Sequence, residues 1–390
     1  MTRARIGVVG LGRRGSEHIE TLAALPDRFE LVAVCDVSES LAQETAETVG
    51  AEAYSDLNEL FDKAKLDIVI VATPADTHHL VAQAAADHGV HMLIETPLGL
   101  TRRMMDSIIE AVARAGVKAE VGEQMWRRPP DRLAKKASDA GLIGSVLRVS
   151  SYYDDAGHNS VYHTIGRMRV FVGADVDEVR GFTRSYERIA VRPGSSKLVD
   201  EHWSRAELMF ANGVVGALTY VTNWTLPLRG GHPRFFSIEG TEGFIVTGNG
   251  SPNMLRRVER GRAVDYPLVV ETRRVADQDV PVRFAYETDP PIELLNPYHD
   301  RVLDTPRSRT PGFDGIGRAY ELDRIHRAVT ENAEPEYGLD RARRDQELSI
   351  TITEAARLGR TLPAHLDSQE TAWEREIHEE FRRAYGFDVK

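Results

Sequence analysis

The residues with the clearest chemical potential lie near the start of the chain, in Gly10-Leu11-Gly12-Arg13-Arg14-Gly15. Three glycines at this spacing follow the apolar run at residues 6–9 and precede a helix-like segment. That is the pattern of a turn that holds a pyrophosphate. Gly10 permits the turn, Gly12 lets the backbone approach the phosphates, and Gly15 lets the helix lie close to the strand. Free N–H groups and the positive end of the helix dipole face the anion, and Arg13 and Arg14 can add charge to it. A second apolar run, residues 30–35, ends at Asp36. This is about 20 residues past the last glycine, where a dinucleotide fold places the acid that accepts ribose hydroxyls. Val37 and Ser38 follow, with no arginine to meet a 2′-phosphate. The pattern therefore favours NAD over NADP.

Strands and helices must alternate to position these groups, and the first 125 residues supply that alternation. Residues 67–72 form a near-continuous apolar run, as in a parallel strand buried on both faces. It ends in Thr73-Pro74-Ala75-Asp76-Thr77-His78, and such strand ends line the ligand crevice of a doubly wound sheet. Residues 91–94 read as the next strand and end in Glu95-Thr96-Pro97, and residues 117–121 as a further strand. Helices are expected at 38–49, 56–64, 80–88 and 101–115, with Ser38 and Thr101 as caps.

At 390 residues the chain should hold two domains, each with its own core. The fold class expected is α/β: a dinucleotide-binding domain at 1–125, a second domain with an open, largely antiparallel sheet at 126–367, and an amphipathic helix at 368–390. The Arg-Arg-Pro-Pro segment at 127–130 reads as the junction. Strands are expected at 145–153, 179–186, 205–210, 214–222, 234–239 and 243–247, with Ala211-Asn212-Gly213 as a hairpin turn. Residues 250–315 read as excursions from that sheet, and residues 317–330 and 339–357 as helices. Trp373, Ile377, Phe381 and Tyr385 recur at steps of four and share one helical face. That face would dock on its own domain or form a subunit contact.

Composition limits the function classes. With 42% hydrophobic and 28% charged residues, the chain has the make-up of a soluble globular protein, and no apolar run approaches the roughly 20 residues of a membrane span. Met1-Thr2-Arg3-Ala4-Arg5 leads directly into a strand, leaving no room for a signal peptide. The single cysteine, Cys35, lies in an apolar run and reads as a core residue. A reducing cytoplasm is the expected compartment. A net charge of −11 argues against nucleic acid as a partner. His78, His79, His88 and His91 lack the spacing of a metal set, so no metal is expected.

The glycine turn, Asp36, the Thr-Pro-x-x-x-His segment at 73–78 and the Glu-x-Pro at 95–97 occur in an order and spacing that resemble the Gfo/Idh/MocA family of nicotinamide-dependent sugar oxidoreductases. Ser237-Ile238-Glu239-Gly240-Thr241-Glu242-Gly243 is similar to a turn in that family's second domain. The resemblance implies a Rossmann domain with NAD bound, a sheet that covers the nicotinamide, and a homo-oligomer, dimer or tetramer. It places Gly10, Gly12, Arg13, Arg14, Gly15, Asp36, Thr73, Pro74, His78, Glu95 and Gln124 at the cofactor. It also exposes two departures. Where the family carries the Lys of Glu-Lys-Pro, this chain has Thr96, which can hydrogen-bond a sugar but is too weak an acid to act as a base. Where the family pairs an Asp with a His four residues later, this chain has Asn159 and His163. That leaves His163 and Tyr162 as the titratable groups nearest the expected chemistry.

Three functions are compatible with these residues. The favoured reading is an NAD-dependent glycosidase: transient oxidation at C3, elimination of the aglycone, addition of water and return of the hydride. Thr96 suits it, because the oxidation need only be brief. The alternative is an NAD-dependent sugar or polyol dehydrogenase with His163 as the acid/base, and a third is a non-catalytic NAD- and sugar-binding protein. Arg127, Arg128 and Arg167, with His158, are candidate substrate contacts. Because Arg pairs bidentately with anions, they suggest an anionic sugar such as a sulfoquinovoside.

Overall fold

The computed structural model describes residues 3–155, 161–190, 198–221, 234–248, 253–304 and 312–389. The first sheet contains β1 (Ala4–Val9), β2 (Phe29–Cys35), β3 (Glu52–Tyr54), β4 (Ile68–Val71), β5 (His91–Ile94) and β6 (Ala119–Val121). All pair in parallel, in the order β3-β2-β1-β4-β5-β6. Their Val, Ile and Leu side chains are buried on both faces, as parallel strands covered by helices on each side must be. Those helices are α1 (Arg13–Ala23), α2 (Glu39–Val49), α3 (Leu57–Lys63), α4 (His78–Asp87) and α5 (Arg102–Ala115). Side-chain caps from Ser38, Asp56 and Thr101 start α2, α3 and α5. The strand order reverses between β1 and β4, and beyond the strand ends at that point lies the ligand crevice of a doubly wound sheet.

Pro129 and Pro130 open α6 (Pro129–Asp139), where the missing proline N–H groups cost nothing. The chain continues through β7 (Val146–Asp155), α7 (Val161–Val172), β8 (Val176–Ala190), β9 (Leu198–Phe210), β10 (Val215–Val221), β11 (Phe235–Gly240), β12 (Gly243–Thr247), β13 (Met254–Glu259) and β14 (Arg262–Pro267). It then makes β15 (Val269–Val275), β16 (Gln278–Tyr286), β17 (Ile292–Leu295), α8 (Asp314–Thr330), α9 (Leu339–Leu358), β18 (Leu362–Pro363) and α10 (Ala372–Tyr385). The large sheet runs β14-β13-β12-β11-β7-β10-β9-β8-β18. Among the described residues, only the β7–β10 pairing in it is parallel. β9 and β10 pair around Ala211-Asn212-Gly213, with Gly213 at φ +83.

Residues 250–315 depart from the expectation of excursions. β13 and β14 extend the large sheet at its edge, and β15 to β17 form a separate three-stranded sheet. β14 and β15 are exposed along much of their length, so they lack the apolar alternation that marks a half-buried strand. The last three helices return to the first domain. Ile316, Leu322 and Ile325 of α8 share a core with Leu22 and Phe29, and Tyr337 and Ile350 share one with Ile94 and Trp126. α10 docks on the same chain: Phe381 packs with Met104 and Val389, and its ring meets His79 at 5.3 Å. Among the described residues no helix is long and apolar enough to cross a membrane.

Candidate functional site

The glycine turn connects β1 to α1 at the reversal point. Gly10 sits at φ +90, and a Cβ there would lie 2.6 Å from the Ala72 carbonyl oxygen. A Cβ on Gly15 would come within 1.9 Å of the Gly10 oxygen. A Cβ on Gly12 would meet no protein atom within 4 Å, and no side chain caps α1. The first backbone N–H groups of the helix therefore border a space that Gly12 keeps clear, which fits a pyrophosphate. Asp36 is oriented by Leu11 N–H on Oδ2 (2.8 Å) and Ser38 N–H on Oδ1 (3.0 Å). Val37, beside it, is 97% exposed.

Two loops close the crevice. Thr77 Oγ1 donates to Pro74 O at 2.8 Å and to Thr73 Oγ1 at 3.0 Å. The buried His78 links the loop after β4 to the loop after β5, with Nε2 2.9 Å from Thr73 O and Nδ1 3.0 Å from Pro97 O. Burial lowers its affinity for a proton, and the two carbonyls oppose that shift.

Beneath the turn lies a buried charge network. Arg14 Nη2 donates to Glu95 Oε1 (2.9 Å), Arg14 Nη1 to Glu17 Oε2 (2.7 Å), and Gln124 Oε1 lies 3.4 Å from Arg14 Nη1. Arg13 reaches Glu17 Oε1 at 2.6 Å on the exposed side. His18 Nε2 is 2.6 Å from Glu95 Oε1, and Thr96 N–H donates to Glu95 Oε2 at 3.2 Å. Burial works against a charged Glu95, yet Arg14 and His18 hold it well below the usual carboxylate range. Glu321 of α8 behaves oppositely. It is fully buried, neither carboxyl oxygen has a hydrogen-bond partner, and burial with the nearby Glu95 pushes it up to about 8. Ligand atoms of His18, Glu95 and Glu321 lie within 4.8 Å of one another. The Arg14 guanidinium already supplies the cation at Glu95, which disfavours a metal ion there.

α7 brings the second set of groups. It is fixed on α9 by the Arg169–Asp345 ion pair and by Gly166, where a Cβ would lie 3.0 Å from Asp345 Oδ2. Tyr162 is buried, its ring centroid 4.3 Å from that of His163. Burial, with Glu123 nearby, raises its phenol well above the usual range, with Thr96 acting in the opposite sense, and among the described residues the hydroxyl has no hydrogen-bond partner. The Tyr162–His163 pair thus lies beside Thr96, just past the end of β5. His163 Nδ1 lies 2.5 Å from Oε2 of Glu123, a fully buried residue just past β6. Asn159 and His158 lie outside the described residues.

The arginines expected to clamp an anion are engaged elsewhere. Arg127 is fully buried: it pairs with Glu120, reaches Glu336 Oε2 at 3.1 Å, and donates to the carbonyls of Val121 (3.3 Å) and Glu123 (3.2 Å). Its donors hold the second domain's chain to β6. Arg128 pairs with Asp314 at 2.8 Å. Arg167 donates to Asp131 Oδ1 and Thr247 Oγ1, both at 2.9 Å, with its guanidinium 4.1 Å from the Phe236 ring centre. Arg128, Asp131, Arg167 and Thr247 line one cavity, and Arg167 lies one turn beyond His163 on the same face of α7.

Glu123 and Glu321 escaped the sequence reading. One signal was available: Glu120 interrupts the apolar strand Ala119-Glu120-Val121, and an acid inside a buried strand demands a partner. Glu123 follows at once, at a strand end that faces the crevice.

Comparison with known proteins agrees with this geometry. Residues 4–123 match the model of the oxidoreductase family with an NAD-binding Rossmann fold, Gfo/Idh/MocA. The chain is similar to scyllo-inositol 2-dehydrogenase (NAD(+)) of Bacillus subtilis, 28% identical over 63% of this chain and 74% of that one. It is also similar to myo-inositol 2-dehydrogenase of Thermotoga maritima, 34% identical over 45% of this chain and 57% of that one. A levoglucosan dehydrogenase, solved with NADH and L-sorbose, shares the fold, with a TM-score of 0.70 and 22% identity over 94% of this chain and all of that one. Residues 4–123 thus carry the NAD-binding Rossmann fold of that family's model.

Proposed function

We propose that the chain is an NAD-dependent dehydrogenase of a neutral sugar or cyclic polyol. The observation that carries this reading is the His163–Glu123 pair, with Tyr162 against the His163 ring, in a chain whose glycine turn forms a cradle suited to NAD. NAD, when bound, takes the hydride from the carbon that is oxidised. The chain's own residues must then bind the sugar, exclude water and receive the hydroxyl proton. His163 is the accessible base: its side chain is 23% exposed while that of its partner Glu123 is 0%. With Nδ1 facing Glu123, Nε2 is left to take the proton. Thr96 Oγ1 orients the reacting hydroxyl, a role that needs no charge.

The glycosidase reading, preferred on sequence alone, now ranks below this one. The relatives are dehydrogenases. Redox-neutral hydrolysis also needs a second base to remove the C2 proton. Tyr162, the other titratable group beside Thr96, is buried and held in its neutral form. The cavity beyond His163 also argues for a neutral substrate. Its Arg167 and Arg128 guanidinium groups face the carboxylates Asp131 and Asp314, so it offers donors and acceptors together. Hydroxyl-rich molecules use both.

The test supplies NAD with a panel of inositols and hexoses, and separately with aryl glycosides. NADH should accumulate in step with a ketone from one of the former, and no aglycone should appear from the latter. Release of aglycone without net NADH would restore the glycosidase reading.

A further inference from the structure

We propose that Glu123 is the positioning residue for His163, supplying from the end of β6 the carboxylate that position 159 lacks. The role rests on the dehydrogenase reading of the site; the contact itself does not. A His that takes a proton must present one nitrogen with a free lone pair in a fixed direction, and a carboxylate on the other nitrogen provides this. Asn159, four residues earlier in the chain, has an amide and no charge. Glu123 has both the charge and the placement: Oε2 lies 2.5 Å from His163 Nδ1.

The carboxylate is itself held in place. Oε1 accepts from Met125 N–H at 2.8 Å, so the side chain has one rotamer to offer His163. The backbone is pinned on both sides, by Glu123 N–H to Val121 O (2.8 Å) and by Arg127 Nη1 to Glu123 O (3.2 Å). Arg127 is fixed in turn by Glu120 and Glu336. The buried arginine thus serves the site at one remove, by holding rigid the peptide that carries the acid. With Glu123 ionised, the proton of a neutral His163 resides on Nδ1 and the lone pair on Nε2. Once Nε2 has accepted the substrate proton, the same carboxylate balances the imidazolium.

The proposal separates from a purely structural pairing in two measurements. Glu123→Gln keeps the shape and the Met125 contact but removes the charge. In the full-length protein with NAD and the best polyol of the panel, kcat should fall by about 100-fold or more, with KM and the Kd for NAD little changed. Glu123→Asp, which keeps the charge at a shorter reach, should recover part of the loss. A kcat within about twofold of wild type in Glu123→Gln would overturn the role. Proton–nitrogen correlation NMR of the His163 ring, assigned with His163→Ala, reads the tautomer without any turnover. The neutral ring should carry its proton on Nδ1 in wild type and lose that preference in Glu123→Gln. A proton on Nε2 in wild type would overturn the proposal, whatever the enzyme's activity. An Nδ1 proton in a protein that oxidises no polyol would instead overturn the dehydrogenase reading and leave the contact standing.

Discussion

Arg14 Nη2 and Glu95 Oε1 lie 2.9 Å apart, so the first turn of α1 and the end of β5 form one electrostatic unit. The pair connects the glycine turn to the residues beside Thr96. Glu95→Ala would leave Arg14 with Glu17 as its remaining acid partner and His18 Nε2 without its acceptor, both in a largely buried setting. The expected loss of stability is about 3–5 kcal/mol, read from urea unfolding. NAD affinity should fall along with it, because α1 loses its tie to β5. An unchanged unfolding midpoint would show that water replaces the carboxylate.

Glu321 and Glu95 make opposite demands on pH. Glu95 is held below its usual range, so its contribution to stability is present above about 4.5 and lost as the pH falls further. Glu321 is raised from 4.5 to about 8. Between those values the folded state keeps a proton that the unfolded state has released, so stability declines as the pH rises, by about 1.4 kcal/mol per unit for one full proton. Glu321→Gln cannot ionise. Relative to wild type, its thermal midpoint should rise steadily from pH 5 to about 8, and at pH 8 the variant should be the more stable. Parallel curves for the two proteins would show that Glu321 is charged at neutral pH.

The glycine turn separates binding from folding. Gly12→Ala places a methyl group in the space left for the pyrophosphate but touches no protein atom. NAD should bind roughly tenfold or more weakly, a change of about 1.4 kcal/mol, with the thermal midpoint of the NAD-free protein unchanged. Gly15→Ala drives its methyl group into the Gly10 carbonyl. It should cost about 3 kcal/mol of stability whether or not NAD is present. Calorimetry of both variants with and without NAD distinguishes the two effects.

On the proposed reading of the site, Asp36 sets the choice of dinucleotide. Asp36→Ser removes a charged acceptor and should cost about 1.5–3 kcal/mol of NAD affinity. NADP binding should weaken less or improve, since the carboxylate that repels a 2′-phosphate is gone. Equal losses for both cofactors would show that Asp36 serves mainly to hold the Leu11 and Ser38 amides.

What could be read from the sequence was local. The glycines, Asp36, the strand ends at Thr73 and Glu95 and the caps at Ser38 and Thr101 act through neighbours a few residues away, and spacing reveals such relationships. The carboxylate partner of His163 could not be found that way, because Glu123 lies 40 residues earlier in the chain and reaches His163 only when β6 and α7 pack together. Arg127 and Arg128 read alike as anion binders. Only the fold shows that the first is enclosed by Glu120 and Glu336 and the second faces Asp314. The same limit applied to α10, whose apolar stripe was evident but whose cover was not.

That cover has a consequence for how the protein is made. Phe381, Ile377 and Val389 close over Met104, Leu80 and Leu100, and Glu374 neutralises the buried Arg102. A ribosome delivers all of the first sheet long before it delivers these residues. Until the final helix emerges, the nascent nucleotide domain presents a sticky flank and an uncompensated guanidinium to the cell, and a chaperone or the next chain on the same messenger could occupy it.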